Sequence, residues 1–273
     1  MTGFYDRIRA IQEKNNSLLC VGLDPDLKKI PGPLLSCSDP RGEFCERIVQ
    51  ATKDLVCAYK LNLAFFEGCE GAGWSALKRV LASIPDDVIT IGDGKRGDIG
   101  NTAEMYAGTL LDEFRFTATT VNPYMGEDSI RPFIKNPEQG AFVLALTSNP
   151  GAKDFQYLLA KRKPLYEHVV AKAKVWNQDK NIGLVVGATH PAQLKRIRFL
   201  VPEVPLLIPG VGAQEGNVEL TVRWGCDARG TMALVNASRS IIYASSGEDF
   251  ADAARISARS LRDEMNVYRR RFF

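Results

Sequence analysis

The chain has 273 residues, 45% hydrophobic and 25% charged, the profile of a globular protein rather than a disordered or membrane-filling one. A formal net charge of +3 is too small to indicate nucleic acid or a charged membrane surface as partner. No apolar stretch nears the roughly 20 residues of a membrane span, and the opening segment carries Asp6, Arg7, Arg9 and Glu13 without an apolar leader; cytoplasm is expected by elimination.

In chain order, the first apolar run is 18–23, closed by Asp24. A Pro- and Gly-bearing segment, 25–39, follows and is expected to be mobile; then apolar spacing at Phe44, Ile48, Ala51 and Leu55 predicts a helix over 43–54. The second run, 56–61, contains Lys60, and the third, 88–91, leads to Asp93. Helical spacing returns over 103–114, followed by a run at 118–121 ending before Asn122 and another at 141–146 ending before Ser148. Segment 149–163 is expected to be a second mobile loop, and 164–176 a helix. The last three runs are 182–187, 206–208 and 232–235, with Thr189, Gly210 and Arg239 beyond their ends. A final helix is predicted over 249–267, and Arg269, Arg270 and Arg271 are expected in a solvated tail.

The clearest runs are continuous rather than alternating, as in parallel strands buried on both faces. Eight of them alternating with helices predict an α/β fold, a single (β/α)8 TIM barrel occupying 1–273 as one domain. A doubly wound open sheet has the same unit length. The polar residues favour the barrel, because they follow the runs and would converge on one mouth, whereas an open sheet would scatter them along a crevice.

None of the six cysteines has C-x-x-C spacing, so they are read as reduced thiols and no metal site is expected. His168 lies mid-helix and His190 precedes Pro191, both read as structural. No H-E-x-x-H, G-x-S-x-G or P-loop pattern occurs.

Chemistry concentrates in Asp93-Gly-Lys95-Arg-Gly-Asp98-Ile99-Gly-Asn-Thr102. If the strand runs to 95, Asp93 and Lys95 share a face. Neighbouring anions favour the charged form of an amine between them, each pair being worth about 4 kcal/mol before desolvation at ~4 Å and an effective dielectric of ~20. The same letters also fit a solvated charged turn. Further on, Pro209-Gly210-Val-Gly212-Ala-Gln214 and Ser238-Arg239 follow the last two runs. Loops after strands 7 and 8 of barrels often cradle phosphate with backbone N–H groups, and an arginine fork suits phosphate oxygens. Glycines that merely turn the chain are the plainer alternative.

The segment from Asp93 to Thr102 resembles the D-x-K-x-x-D-I-x-x-T signature of the orotidine 5′-phosphate decarboxylase family. Val21-Gly-Leu-Asp24, Tyr59-Lys60-Leu-Asn, Thr147-Ser148-Asn-Pro-Gly, the 209–214 segment and Arg239-Ser-Ile resemble its other motifs, in the same order. The length and the extended 25–39 and 149–163 segments are similar to the longer branch of that family; Ser238 departs from the glycine usual in shorter members. The resemblance implies decarboxylation of orotidine 5′-phosphate to UMP without a cofactor or metal. Lys95 would be the cation facing C6 and its proton donor, Asp93 would lie against the departing carboxylate, and Asp98 would hold Lys95. Asp24 and Lys60 would bind the ribose, Ser148 the pyrimidine, and Gly210, Gly212, Gln214, Ser238 and Arg239 the phosphate side. Asp98, Ile99 and Thr102 would reach a neighbouring subunit's site, implying a homodimer that takes a small nucleotide, with no nucleic-acid or membrane partner. Metal-dependent sugar-phosphate lyases share a similar segment but carry a metal-binding glutamate where Lys60 stands here. A barrel that only binds nucleotides would be expected to have lost Lys95 or an aspartate.

Overall fold

The continuous apolar runs pair along both edges with parallel neighbours, an arrangement that buries both faces of each strand. The computed structural model describes residues 3–211 and 216–273. Its barrel strands are β1 (Leu19–Leu23), β2 (Ala58–Asn62), β3 (Ile89–Arg96), β4 (Ala118–Val121), β5 (Gly140–Leu146), β6 (Ile182–Val186), β7 (Leu206–Pro209) and β8 (Ala233–Ala237). Their order around the closed barrel follows the chain. Closure is made at β1, where Val21 pairs with Tyr59 of β2 on one side and Ala237 of β8 on the other. The C-terminal ends of the strands therefore share one rim, as the placement of the polar residues predicted.

Helices on the outside connect the strands: α2 (Pro40–Thr52), α3 (Glu70–Ser83), α4 (Gly100–Ala107), α5 (Leu165–Trp176), α6 (Pro191–Leu200), α7 (Val218–Gly225) and α8 (Phe250–Phe272). The start of α2 is set by Asp39, whose carboxylate caps the Gly42 amide at 2.9 Å, with Pro40 at the first helical position. The helix expected over 103–114 begins earlier, at Gly100, and passes into a wider π-helical turn over Gly108–Glu113. The β4–β5 connection departs from the ideal unit, being made of two 3₁₀ turns, Pro123–Met125 and Arg131–Ile134.

Two connecting segments carry short elements of their own, and the expectation for the arginine run needs correction. Segment 25–39 contains a 3₁₀ turn, Gly32–Ser36. Segment 149–163 carries a helical turn, Ala152–Phe155, and an antiparallel hairpin joining Leu159–Ala160 to Lys163–Pro164. Lys161 and Arg162 at the hairpin tip have φ of 48° and 64°, the paired left-handed values that match strand twist in a two-residue turn. The arginine run belongs to the last turns of α8 rather than to a loose tail, and Arg271 lies 3.3 Å from the Glu219 carboxylate of α7. The ring of Phe272 beneath the Arg223 guanidinium keeps that end in contact with the barrel.

Helix α1 (Phe4–Lys14) closes the opposite end of the barrel. Its buried face presents Phe4, Ile8, Ile11 and Gln12. Phe4 meets Phe142 edge-on at 5.9 Å, and the Tyr5 hydroxyl donates to the Ile182 carbonyl at 2.7 Å. Gln12, wholly buried, donates to the Ala233 carbonyl at 2.7 Å and accepts from the Met232 amide at 2.9 Å. Arg198 caps the C-terminus of α6, giving its guanidinium protons to the carbonyls of Val201, Val204 and Gly225; burial lowers its pKa to about 10. All six cysteines are free, and burial raises the thiols of Cys57 and Cys226 to about 12, which removes them from thiolate chemistry.

Gln12→Leu should lower unfolding free energy by about 2–4 kcal/mol, because it leaves two buried backbone groups unpaired. Urea denaturation measures this; a change under about 0.5 kcal/mol would show that the amide is not needed to hold α1 to β8.

Candidate active site

Charge alternates across the first three strands at the barrel mouth. Lys60, inside β2, is level with Gly22 of β1 and Ile91 of β3, so its side chain emerges between Asp24 and Asp93. Its Nζ lies 2.7 Å from Asp93 Oδ2 and 3.9 Å from Asp24 Oδ1. Lys95 Nζ lies 2.7 Å from Asp93 Oδ1. The Asp93 side chain is 8% exposed and Lys60 7%, whereas Lys95 is 52% exposed at the cavity. Asp93 is thus shared by two ammoniums, one buried and one open.

The electrostatics follow from that sharing. Burial acts to raise the Asp93 pKa, but the charges of Lys60 and Lys95 and their hydrogen bonds outweigh it and hold the carboxyl well below the ordinary carboxylate range. Burial likewise opposes charge on Lys60, and Asp93 with Asp24 overcomes it, keeping the ammonium above the usual lysine range.

Thr120 of β4 completes the arrangement. Its hydroxyl donates to Asp93 Oδ1 at 2.8 Å and accepts from the Lys95 amide at 2.9 Å. Lys95 has φ of 47°, an uncommon left-handed value for a residue with a side chain. Such a conformation costs about 1–2 kcal/mol and coincides with a register shift between β3 and β4 over Gly92 to Arg96. The strand does reach 95, but as a bulge, with the Lys95 amine held over Asp93. Thr120 escaped the sequence reading because a threonine inside an apolar run reads as strand; its place one residue before the strand end was the available signal.

A cavity of about 400 Å³ opens beside these charges, lined by Asp24, Lys60, Asp93, Lys95, Thr120, Thr147, Ser148, Asn149, Gly210, Asn236, Ser238 and Arg239. Its walls are apolar at Leu144, Val185, Leu207, Pro209 and Val211. Gly210 has φ of 102°, which a side chain would strain. Ser238 turns toward β1, where its hydroxyl is 2.6 Å from Asp24 Oδ2 and 3.0 Å from the Gly22 carbonyl. Asp24 Oδ1 is buried and, among the described residues, has no hydrogen-bond partner. Gly212 and Gln214 lie outside the described residues.

Asp98, Ile99 and Thr102 are not brought into this cavity by their own chain. Asp98 accepts from the Ile99 amide at 2.8 Å, and among the described residues it has no ion pair with Lys95. Both histidines bond to backbone carbonyls, His168 to Ala160 at 2.7 Å and His190 to Thr147 at 3.2 Å. Among the described residues no cluster of acidic, histidine and cysteine side chains forms a metal site, and no helix is long and apolar enough to cross a membrane.

Comparison with known proteins bears on the family and the fold. The model of the orotidine 5′-phosphate decarboxylase / HUMPS family matches residues 17–254. An orotidine 5′-phosphate decarboxylase of Dehalococcoides mccartyi is 46% identical, with 98% of this chain and 99% of that protein covered. One from Dechloromonas aromatica is 47% identical, covering 97% and 99%. Among solved structures, an OMP decarboxylase of Leishmania donovani superposes with a TM-score of 0.86 at 36% identity, covering 98% of each chain. The same organism's UMP synthase gives 0.88 at 38% identity, with 98% of this chain aligned to 57% of that longer one.

Lys60→Met should destabilise the protein by about 3 kcal/mol at neutral pH, the usual scale for stranding one partner of a buried pair. It should also raise the Asp93 pKa. Because that pKa is depressed in the native protein, the stability it contributes is complete above the unfolded value of ~3.9 and is lost as pH falls through the folded one. The difference between native and variant protein in urea unfolding should therefore shrink below about pH 4; a pH-independent difference would contradict the assignment.

Proposed function

The chain belongs to the orotidine 5′-phosphate decarboxylase / HUMPS family, and on that premise we propose that it converts orotidine 5′-phosphate to UMP and CO2 in pyrimidine biosynthesis without a cofactor. The observation that carries the reading is the row Asp24, Lys60, Asp93, Lys95 along the cavity, in which the outermost ammonium is half exposed and the inner one nearly enclosed.

Breaking the bond from C6 to the carboxylate releases CO2 and leaves an electron pair in an in-plane orbital that the ring π-system cannot delocalise. A cation fixed beside C6 stabilises that pair as it forms, which is where preorganised charge is most effective. Lys95 supplies the cation and then transfers a proton from Nζ to C6, so that one proton replaces one CO2. Asp93 lies against the substrate carboxylate, and repulsion between them is relieved as that group becomes neutral CO2. The Thr120 bonds to Asp93 and to the Lys95 amide support this geometry, since both partners are held before substrate arrives.

Asp24 Oδ1, without a hydrogen-bond partner among the described residues, and the neighbouring Lys60 are suited to ribose hydroxyls. Ser148 serves the pyrimidine, and Arg239 with the Gly210 turn and Gln214 serves the phosphate. Binding energy from the phosphate, remote from C6, stabilises a closed site in which the charges act in less water. Lys60 also argues against a metal-dependent lyase, because its ammonium fills the space between two carboxylates that a cation would need.

Asp98, Ile99 and Thr102 complete the site of a second copy. Supporting this, Ile99, Met105 and Tyr124 are 55%, 71% and 85% exposed. Exposed apolar side chains flanking a site that lacks one carboxylate fit an isologous dimer.

Lys95→Ala should fold and dimerise yet lose about three orders of magnitude or more in turnover, followed by ultraviolet absorbance of orotidine 5′-phosphate with EDTA present. Mixing it with Asp98→Ala, after subunit exchange, should restore about a quarter of native activity if sites are shared, because half the dimers then hold one intact site of two. No recovery would refute sharing. Arg239→Ala should weaken UMP binding by about tenfold or more and uridine binding hardly at all; equal losses would remove Arg239 from the phosphate site.

A further inference from the structure

Thr147, the first residue beyond β5, has each of its polar groups engaged. Its amide donates to Gln156 Oε1 at 2.8 Å, and its hydroxyl accepts from Gln156 Nε2 at 2.8 Å while donating to Asn149 Oδ1 at 2.7 Å. Its carbonyl lies 3.2 Å from His190 Nε2. A two-point contact of this kind leaves the Gln156 amide one usable orientation, oxygen toward the backbone N–H and nitrogen toward the hydroxyl.

Gln156 comes from the 149–163 excursion and is held in turn, since its carbonyl accepts from the Tyr166 amide of α5 at 3.0 Å. The other ring nitrogen of His190 is 3.4 Å from the Tyr157 hydroxyl, and one tautomer serves both contacts, Nε2 donating and Nδ1 accepting. From the far side, the end of β6 presses on the same loop. A Cβ at Gly187 would lie 3.0 Å from both the Cβ and the amide nitrogen of Ser148, so a side chain there would press on the Ser148 backbone. The loop carrying Ser148 is therefore fixed on both sides by residues that do not line the cavity.

We propose that Gln156 is a positioning residue for base recognition: its clamp on Thr147 sets Ser148 in place, and discrimination between a pyrimidine nucleotide and a bare sugar phosphate depends on it. The inference rests on the decarboxylase reading, in which Ser148 serves the pyrimidine. The excursion then contributes to the site through a hydrogen-bonded side chain, while its hairpin tip stays in solvent.

The test compares UMP and ribose 5-phosphate as ligands of the full-length protein, by calorimetry, for Gln156→Leu and Gln156→Glu. Gln156→Leu should weaken UMP by about tenfold, the scale of losing one or two ordinary hydrogen bonds, and leave ribose 5-phosphate unchanged. KM for orotidine 5′-phosphate should rise more than kcat falls. Gln156→Glu keeps the acceptor for the Thr147 amide, while its second oxygen is bonded only when the Thr147 hydroxyl turns its proton away from Asn149 Oδ1, so part of the UMP affinity should return. Equal losses for both ligands, or a Glu variant no better than Leu, would overturn the clamp. Native protein that binds UMP no better than ribose 5-phosphate would instead sink the reading of Ser148, and native protein that binds neither would sink the decarboxylase reading itself.

Discussion

One carboxylate shared by two ammoniums governs the mouth of this barrel. Asp93 could not stay ionised at its depth without compensation, because an isolated buried charge costs several kcal/mol. Lys60 supplies that compensation from below and Lys95 from the cavity side, at the same 2.7 Å. The two lysines are not equivalent. Lys60 is enclosed and also near Asp24, so it acts as a fixed counter-ion. Lys95 is half in solvent, and its ammonium is the more open of the two.

The bulge in β3 is the backbone expression of that asymmetry. A regular strand would carry Lys95 on toward β4 in register; the left-handed turn at Lys95 and the Thr120 hydroxyl instead bring the amine back over Asp93. Strain of this kind persists only where surrounding bonds over-determine it. Here the threonine that fixes the lysine backbone also fixes the aspartate side chain, so both charged groups are referred to a single hydroxyl on the neighbouring strand.

The two ends of the barrel treat buried polar groups differently. At the closed end, Gln12 and Arg198 give their hydrogen bonds to main-chain groups and tie elements together. At the open end, Asp24 Oδ1 has no hydrogen-bond partner among the described residues and lies 3.9 Å from Lys60 Nζ, while Ser238 bonds the other oxygen. An unsatisfied polar atom is costly in a folded chain, and one beside a cavity is a group that a ligand can satisfy. Activity and stability thus draw on opposite faces, as is general for parallel barrels.

Periodicity in the chain alone determined the eight-strand alternation, because a strand buried on both faces must be continuously apolar, and the motif order determined which residues would meet at the rim. Asp24, Lys60, Asp93, Lys95, Ser148, Gly210, Ser238 and Arg239 all line one cavity. Boundaries were less legible, as at Gly100 and in the arginine run, because helix ends are set by caps and by packing on neighbouring elements. Only the tertiary structure decided that Asp93 belongs to Lys60 as much as to Lys95, that Thr120 fixes both Asp93 and Lys95, and that Gln156 reaches back nine positions to grip Thr147. Such pairings join strands and loops whose separation is set by closure of the barrel. A local sequence pattern records which face a side chain takes, but the distance between two of them appears only once the ring of strands is shut.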